Sequence, residues 1–207
     1  MKFFITGTSG VGKTFLEECL AQKLSFFQLP KTTDRKRRYS EKDSQGIKFK
    51  TTKEILDNID RYFFRLEYLG QIYVWEKEDL QKHENCVMAV TLESMESLLK
   101  LNLGFIPILL YIDPNNLKLL EDRMKARYRY SKLKGQDLKD ANKMLKDRMA
   151  LAKIESLQIK KYIDIISKYS TLGRAFEIKD DATLFDEVIP YIENLINSQS
   201  SPKANLP

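Results

Sequence analysis

The sequence predicts a three-layer α/β fold, in which helices cover both faces of a parallel sheet. Three observations favour it: a glycine-rich segment stands between a predicted strand and a predicted helix, short apolar runs alternate with helical segments through most of the chain, and one polar segment, residues 31–75, interrupts the alternation. Parallel strands are buried on both faces and are therefore continuously apolar, and helices connect them. A chain of 207 residues can bury one such core and still carry an insertion.

The N-terminal strand, loop and helix carry the most specific motif. Lys2–Thr6 is β-prone, Thr14–Leu24 is predicted as a helix, and residues 7–14 read Gly-Thr-Ser-Gly-Val-Gly-Lys-Thr. This is the phosphate-loop pattern G-x-x-x-x-G-K-[ST] in the strand–loop–helix context that it requires. Its backbone N–H groups are expected to point at phosphate oxygens, next to the positive end of the helix. We therefore predict a P-loop NTPase fold that binds ATP.

Each residue of the loop has an expected part in that site. The residues expected to surround the phosphates are Gly7, Ser9, Gly10, Val11, Gly12, Lys13 and Thr14. Lys13 is expected to reach the β- and γ-phosphates, and the Thr14 hydroxyl to hold Mg²⁺.

The remaining elements follow in strand–helix order. The predicted strands are Val87–Thr91, Ile106–Ile112 and Ala175–Ile178. The predicted helices are Glu93–Leu101, Asn115–Ala126 and Leu184–Asn197, the last with an irregularity at Pro190, and the segment Asp137–Lys168 is long, periodic and highly charged. We assign residues 1–30 and 76–197 to a P-loop core with a lid around 127–148, residues 31–75 to a small β-rich insertion, and residues 198–207 to a disordered tail. Because ligands bind at the carboxyl ends of parallel strands, the insertion is expected beside the site.

Positive charge is concentrated in two segments. The chain has a net charge of +6, yet the segment from Lys118 to Lys161 holds 14 Lys and Arg residues against 6 Asp and Glu residues. A second cluster, Lys31 to Arg38, holds five basic residues and one acidic residue. Solvated helix faces or a nucleic-acid surface are open alternatives. The glycine loop favours a third, in which some of these arginines surround a polyphosphate, and no nucleic-acid partner is expected.

Composition argues against several other classes of protein. No apolar run approaches the roughly 20 residues that span a bilayer, and no signal peptide is visible, because the glycine loop follows the first predicted strand at once; we therefore expect a cytoplasmic protein with no membrane partner. Cys19 and Cys86 lack metal-ligand spacing, and His83 stands among charged residues as an expected surface residue. No zinc site is therefore expected.

With these motifs the chain resembles the guanylate kinase family of P-loop nucleoside monophosphate kinases over roughly residues 1–197. Gly7–Lys13 matches the family's G-x-S-G-x-G-K loop, and Arg35–Arg38 matches its T-R-x-x-R segment. Phe49 with Thr52–Asn58 matches a phenylalanine before a short helix, and Gly70–Tyr73 matches a G-x-x-Y element. Arg123–Arg127 and Arg148–Ala152 match the R-L-x-x-R and R-L-x-x-A segments. The resemblance implies a three-layer parallel-sheet fold with an acceptor-binding insertion and a helical lid.

The resemblance also implies roles for the matched residues. Arg35, Arg38 and Tyr73 would hold the acceptor phosphate, and Arg123, Arg127 and Arg148 would be catalytic lid arginines around the transferred phosphoryl group. Phosphoryl transfer needs positioning and positive charge more than covalent help, which agrees with these assignments. Simple surface roles are the alternative: Lys36 and Arg37 as solvated charge, and Arg123 paired with Glu121 or Asp122.

The chain departs from the family where guanine would be recognised. Ile47, Phe64 and Trp75 fall at the family's tyrosine, glutamate and Ser/Thr, Val74 replaces a glycine, and the central strand ends without an aspartate. Glu67 and Glu93 are near these positions but off register, and either is an open candidate for a missing acidic residue. Apolar groups cannot replace buried hydrogen-bonding partners and keep the preference for guanine. The missing aspartate also leaves Thr14 without an evident partner for Mg²⁺.

The expected activity is phosphoryl transfer from Mg-ATP to a phosphate of a small acceptor, with a nucleoside monophosphate favoured and guanine doubtful. Two alternatives stay open: a kinase for a phosphorylated sugar, and a non-catalytic guanylate-kinase-like module that binds a phosphorylated peptide. The intact Lys13 and Thr14 argue against the module. Neither the identity of the acceptor nor the oligomeric state follows from the sequence.

Overall fold

The computed structural model of the protein describes residues 1–37, 46–127 and 135–200. In these ranges the strands are β1 Lys2–Gly7, β2 Phe27–Gln28, β3 Lys31–Thr33, β4 Ile47–Phe49, β5 Tyr62–Tyr68, β6 Gln71–Glu76, β7 Cys86–Ala89, β8 Phe105–Tyr111 and β9 Arg174–Glu177. The helices are α1 Lys13–Lys23, α2 Thr52–Leu56, α3 Lys77–Lys82, α4 Met95–Lys100, α5 Leu117–Arg127, α6 Gly135–Leu157, α7 Ile159–Tyr169 and α8 Ile189–Ser200. No helix of the described ranges is long and apolar enough to cross a membrane.

A five-stranded sheet with the order β2-β7-β1-β8-β9 forms the centre of the protein. Its strands pair in parallel, with Phe3 opposite Val87 on one side and opposite Ile106 on the other. The mixed α/β fold with a parallel sheet is thus confirmed. The carboxyl end of β1 is therefore central in the sheet, and the glycine loop leaves it there.

Both faces of this sheet are covered, because successive side chains of a strand point to opposite faces. Phe3 and Ile5 of β1 belong to a core cluster with residues of α1, α6 and α8, whereas Phe4 belongs to a second cluster with residues of α4 and α7. Phe3, Phe4 and Ile5 are fully buried. The sheet is therefore the middle layer between two layers of helices.

A second sheet of four strands, ordered β4-β3-β6-β5, occupies the chain between β2 and α3. The β5–β6 hairpin turns at Leu69 and Gly70, which have φ angles of 52° and 73°, and its pairing shifts register between Tyr62 and Phe64. The inner side of the hairpin packs into the α4–α7 core cluster through Leu66 and Trp75. The division of the chain into a core and an insertion stays a prediction, with these strands lying in the segment assigned to the insertion.

The long, periodic segment Asp137–Lys168 is not one continuous helix. The chain forms α6 and α7, and the break falls at Gln158, whose φ of −97° and ψ of 5° interrupt the helix. Leu145 of α6 belongs to the α1–α8 core cluster, whereas Ile166 of α7 belongs to the α4–α7 cluster. A straight helix cannot cover opposite faces of one sheet, so the break lets the chain pass from one face to the other.

The C-terminal segment also differs from its prediction. The predicted irregularity near Pro190 is a π-helical turn, Leu184–Val188, which precedes α8. Pro190 lies just after this turn and has no N–H to donate to the preceding turn, which agrees with an interruption of the regular helical hydrogen bonds here. The predicted disordered tail is wrong for residues 198–200, which are helical, and residues 201–207 lie outside the described residues.

Candidate active site

The glycine loop follows β1 in a conformation that only glycine adopts readily. Gly7, Gly10 and Gly12 have φ angles of 146°, 87° and 112°. A Cβ atom on Gly7 would lie 1.9 Å from the carbonyl oxygen of Leu110 in the neighbouring strand. Gly12 is the N-cap of α1, so Lys13 and Thr14 open the helix at its positive end. The structure therefore has the curled backbone and helix start that an anion site needs.

Lys13 lies across this loop. Its Nζ donates hydrogen bonds to the carbonyl oxygens of Gly7, at 2.6 Å, and of Thr8, at 2.9 Å. The side chain also faces a cleft of about 510 Å³. The ammonium group is thus held at the boundary between the glycine loop and the cleft.

The cleft brings together most of the residues predicted from the sequence. Those that line it are Gly7, Ser9, Gly10, Gly12, Lys13, Thr14, Arg35, Tyr73, Arg123 and Arg148. Val11 is fully buried behind the loop, and its carbonyl oxygen accepts a hydrogen bond from Arg123. Arg38 lies outside the described residues, and so does the side chain of Arg127.

Two arginines reach the glycine loop from different helices. Arg123 of α5 donates from Nη1 to the Val11 carbonyl oxygen at 3.0 Å, and its Nη2 pairs with Asp181. The pairing of Arg123 with Glu121 or Asp122 is therefore not what the structure shows, and Glu121 pairs with Lys125 instead.

Arg148 of α6 donates from Nη1 to the Ser9 hydroxyl at 3.4 Å and is 9% exposed. The two guanidinium groups thus hold the loop at Val11 and at Ser9, and both side chains remain in the cleft wall.

The wall opposite the loop comes from the second sheet. Arg35 is buried, donates from Nη1 to the Lys36 carbonyl oxygen at 3.0 Å, and has its guanidinium 5.3 Å from the centre of the Phe49 ring. Asp34, which the sequence did not single out, accepts hydrogen bonds from the Ile72 N–H and the Thr52 hydroxyl at 2.8 Å. Asp34 therefore fixes β3, and with it Arg35, against the β5–β6 hairpin.

The apolar part of this wall agrees only in part with the sequence alignment. Ile47 and Trp75 line the cleft as expected, but Leu66 and Tyr68, rather than Phe64, line it from β5. Phe64 packs against Trp75 with 5.9 Å between ring centres. Phe64, Leu66 and Tyr68 share one face of β5, and Phe64 is occupied in the core cluster, so the cleft is lined by the two residues nearer the hairpin turn.

Neither acidic candidate from the sequence is among the described residues that line the cleft. Glu67 lies between Leu66 and Tyr68 on β5, so its side chain points to the opposite face, where it is exposed and pairs with Arg65. Glu93 is exposed and is not among the described residues that line the cleft. The carboxylates that do line it are Glu18 and Glu155.

Glu155 is the functional candidate that sequence reasoning missed. It is 4% exposed, and its Oε2 accepts a hydrogen bond from the Ser9 backbone N–H at 3.1 Å. Burial raises the pKa of Glu155 to about 7, even though Lys13 and the Ser9 N–H lower it. A signal was present: Glu155 follows Arg148 by seven residues, or two helical turns, so both lie on one face of α6.

A second buried carboxylate, Glu17, connects the elements that surround the cleft. Glu17 of α1 accepts a hydrogen bond from the Ala89 N–H at 3.1 Å and lies 3.8 Å from the Lys31 ammonium, which itself lines the cleft. Burial is the largest influence on Glu17 and raises its pKa, whereas Lys31 lowers it. Glu17 thus ties α1 to β7 and to the first strand of the second sheet.

The charge of the cleft suits a polyphosphate. Its cationic side chains outnumber the carboxylates; they are Lys13, Lys31, Arg35, Arg123 and Arg148. The residues present also fit Mg²⁺, which prefers oxygen ligands and keeps several waters. Thr14 lies in the first turn of α1 and Glu18 one turn later, so a hydroxyl and a carboxylate share one face at the cleft.

Comparison with known proteins adds evidence on the fold. No protein-family model matches the chain, and no curated protein matches it in sequence. A crystal structure of guanylate kinase from Anaplasma phagocytophilum matches with a TM-score of 0.57 and 13% identity, over 97% of this chain and 87% of that chain. The chain has a fold similar to that of guanylate kinase. An uncharacterized protein from Eubacterium ventriosum matches with a TM-score of 0.40 and 15% identity, over 94% of this chain and 98% of that chain.

Proposed function

We propose that the protein transfers the γ-phosphoryl group of Mg-ATP to a phosphate of a small acceptor, with a nucleoside monophosphate as the first candidate. One observation carries the proposal: the glycine loop with Lys13 and the wall with Arg35 and Tyr73 belong to the same cleft. A donor site and an acceptor site that share one cleft are what direct phosphoryl transfer requires. The similarity of fold to a guanylate kinase supports this reading.

Each group in the cleft has a part in the proposed transfer. The loop N–H groups and Lys13 bind the β- and γ-phosphates, and Arg123 and Arg148 offset charge on the moving phosphoryl group. Arg35, Arg38 and Tyr73 hold the acceptor phosphate. Arg127 joins Arg123 and Arg148 around the moving phosphoryl group. Arg38 and the side chain of Arg127 lie outside the described residues. When bound beside Thr14, Mg²⁺ would add positive charge at the β- and γ-phosphate oxygens. No side-chain nucleophile is needed.

The second sheet serves in this proposal as the acceptor-binding part, and the segment around residues 127–148 as a lid. The cleft walls formed by Ile47, Leu66 and Trp75 cover a flat base or a sugar but offer no carboxylate to the N1–H and exocyclic amine of guanine. Each donor left buried and unpaired costs roughly 1–3 kcal/mol, so GMP is expected to be a poor acceptor, by about 30-fold to 10⁴-fold in kcat/KM. A phosphorylated sugar is the second candidate, because the same walls cover a sugar ring.

Two measurements test the proposal. Calorimetric titration with Mg-ATP is expected to show binding that Lys13→Ala weakens or makes unproductive and that Lys160→Ala, an exposed lysine on α7, leaves unchanged. Steady-state ADP release is then measured with GMP, dGMP, AMP, UMP, CMP, dTMP and phosphorylated riboses. Failure of the wild-type protein to bind ATP would contradict the proposed kinase activity. If GMP gives the highest kcat/KM of the panel, the apolar cleft walls do not disfavour guanine.

A further inference from the structure

The glycine loop already has an anion bound to one of its amides. Glu155 Oε2 accepts the Ser9 N–H at 3.1 Å, although the two residues are 146 positions apart in the chain. Ser9 is 8% exposed and Glu155 is 4% exposed. A carboxylate is a good acceptor for a loop amide, and so is a phosphate oxygen. One N–H cannot serve both anions fully, so the two compete for this position.

The surroundings of Glu155 are only partly cationic. Lys13 at the start of α1 faces it and lowers its pKa, whereas Glu93, after β7, raises it. Arg148, two turns earlier on α6, reaches the Ser9 hydroxyl beside it. Two aromatic hydroxyls, Tyr68 of β5 and Tyr162 of α7, also face Glu155; burial raises the pKa of each, and the charge of Glu155 raises it further.

We propose that Glu155 is a proton-operated gate on the glycine loop: its carboxylate holds the Ser9 amide, and a polyphosphate takes that amide when Glu155 gains a proton. The identity of the polyphosphate as ATP rests on the proposed function. The proton comes from solvent and forms a neutral carboxylic acid, which removes the repulsion between two anions at one donor and supplies an O–H donor to a phosphate oxygen. Apart from the O–H bond made with this proton, no covalent bond forms or breaks.

The gate makes polyphosphate affinity depend on pH. In the free protein the pKa of Glu155 is about 7. A bound polyphosphate raises it further, so affinity is greatest below pH 7 and falls as pH rises above it. If the bound state requires the protonated form, the dissociation constant for Mg-ATP is expected to be up to ~30-fold higher at pH 8.5 than at pH 6. Glu155→Gln cannot ionise and is expected to lose this dependence.

Calorimetric titration in buffers of different ionisation enthalpy tests the gate. The proteins are the wild type, Glu155→Gln and, as a matched control, Glu193→Gln, an exposed residue of α8, which contributes no described residue to the cleft. The ligands are Mg-ATP and inorganic tripolyphosphate. At pH 7.5 the wild type and the control are each expected to take up ~0.8 proton more per ligand than Glu155→Gln. At pH 8.5 Glu155→Gln is expected to bind the ligand more tightly than the wild type does.

Two results would overturn the gate: proton uptake that is the same with and without Glu155, or weaker binding by Glu155→Gln at every pH, as expected for a residue that only anchors the loop. The tripolyphosphate titration separates this inference from the proposed function. Glu155-dependent uptake with tripolyphosphate but no binding of ATP would keep the gate and remove the ATP-dependent function. ATP binding without Glu155-dependent proton uptake would contradict the gate and leave the proposed ATP-dependent function in place.

Discussion

At the scale of single residues, Ser9 is the point where the loop and the helical layer meet. Its N–H donates to Glu155, and its hydroxyl accepts from Arg148. Both partners lie on α6, so one loop residue is held by an anion and a cation from the same helix face. A helix that carries the groups touching the phosphate loop can change the site by moving only slightly.

Arg148→Ala is expected to lower kcat by roughly 100-fold, because a preorganised donor near developing charge is worth that much in phosphoryl and acyl transfer. Steady-state ADP release with the best acceptor of the panel measures the loss. Arg65→Ala is the matched control, since Arg65 pairs with Glu67 on the exposed face of β5. Normal turnover by the Arg148 variant would remove Arg148 from the site.

Gly7 shows how closely the loop approaches the sheet. A Cβ atom there meets the Leu110 carbonyl oxygen at 1.9 Å, whereas one on Gly104, whose φ is 76°, meets no atom within 4 Å. Gly7→Ala must displace β1 from β8 and is expected to cost more than ~3 kcal/mol of unfolding free energy. Gly104→Ala bears only the conformational strain, about 1 kcal/mol. Urea unfolding measures both values, and equal losses would contradict the steric argument.

At the scale of elements, α6 is the most informative helix. It packs into the core through residues such as Leu145 and Ala152 and presents Arg148 and Glu155 to the loop. The hairpin residue Leu69 lies on the other side of a smaller cavity of about 340 Å³, whose lining includes Met144 and Leu151 of α6. The helix therefore stands between the donor site and the tip of the second sheet, where a closing element would act.

Hydrogen exchange tests whether this element closes. Amides in the first half of α6, between Gly135 and Arg148, are expected to exchange more slowly when a bisubstrate analogue binds, because a lid that orders on polyphosphate loses local opening motions. Amides of β8, in the centre of the sheet, serve as the internal control and are expected to change little. Unchanged exchange throughout α6 would show that the helix is not part of a lid.

At the scale of the whole molecule, the sequence was most informative where a motif or a buried strand determines the structure locally. The predicted strands near Lys2–Thr6, Val87–Thr91 and Ile106–Ile112 lie within two residues of β1, β7 and β8. The two-residue strand β2 is too short to leave a periodic pattern. The break at Gln158 depends on which sheet face each helix covers, which local periodicity does not contain.

The residues of the cleft also fall into two groups: those that a local sequence motif predicts and those that depend on the tertiary structure. The glycine loop and the arginines are recognisable because their spacing is short and chemically specific. The contact of Ser9 with Glu155 joins residues 146 positions apart, and no local pattern predicts such a pair. Leu66 was missed because Phe64, Leu66 and Tyr68 share one face of β5, and strand alternation alone does not tell which of them reaches the cleft.

The buried carboxylates make the stability of the whole protein depend on pH. Glu155 has a pKa of about 7 in the folded protein against an ordinary value of 4.5, and burial also raises the pKa of Glu17. Between pH 4.5 and about pH 7, the folded protein keeps a proton on Glu155 that the unfolded chain releases. The free energy of unfolding therefore falls as pH rises from about 4.5 to about 7.

Glu155→Gln removes this pH-dependent contribution, so the difference in unfolding free energy between the variant and the wild type measures it. At pH 5 the side chain is protonated in the folded wild type, so the variant and the wild type are expected to unfold at similar urea concentrations. At pH 8 the wild type must bury a charge, and the variant is expected to be more stable by about 1–3 kcal/mol. Glu193→Gln, exposed on α8, is expected to change stability by the same small amount at both pH values. If the difference between Glu155→Gln and the wild type does not change with pH, Glu155 is already ionised in the folded protein at pH 5, and burial does not raise its pKa.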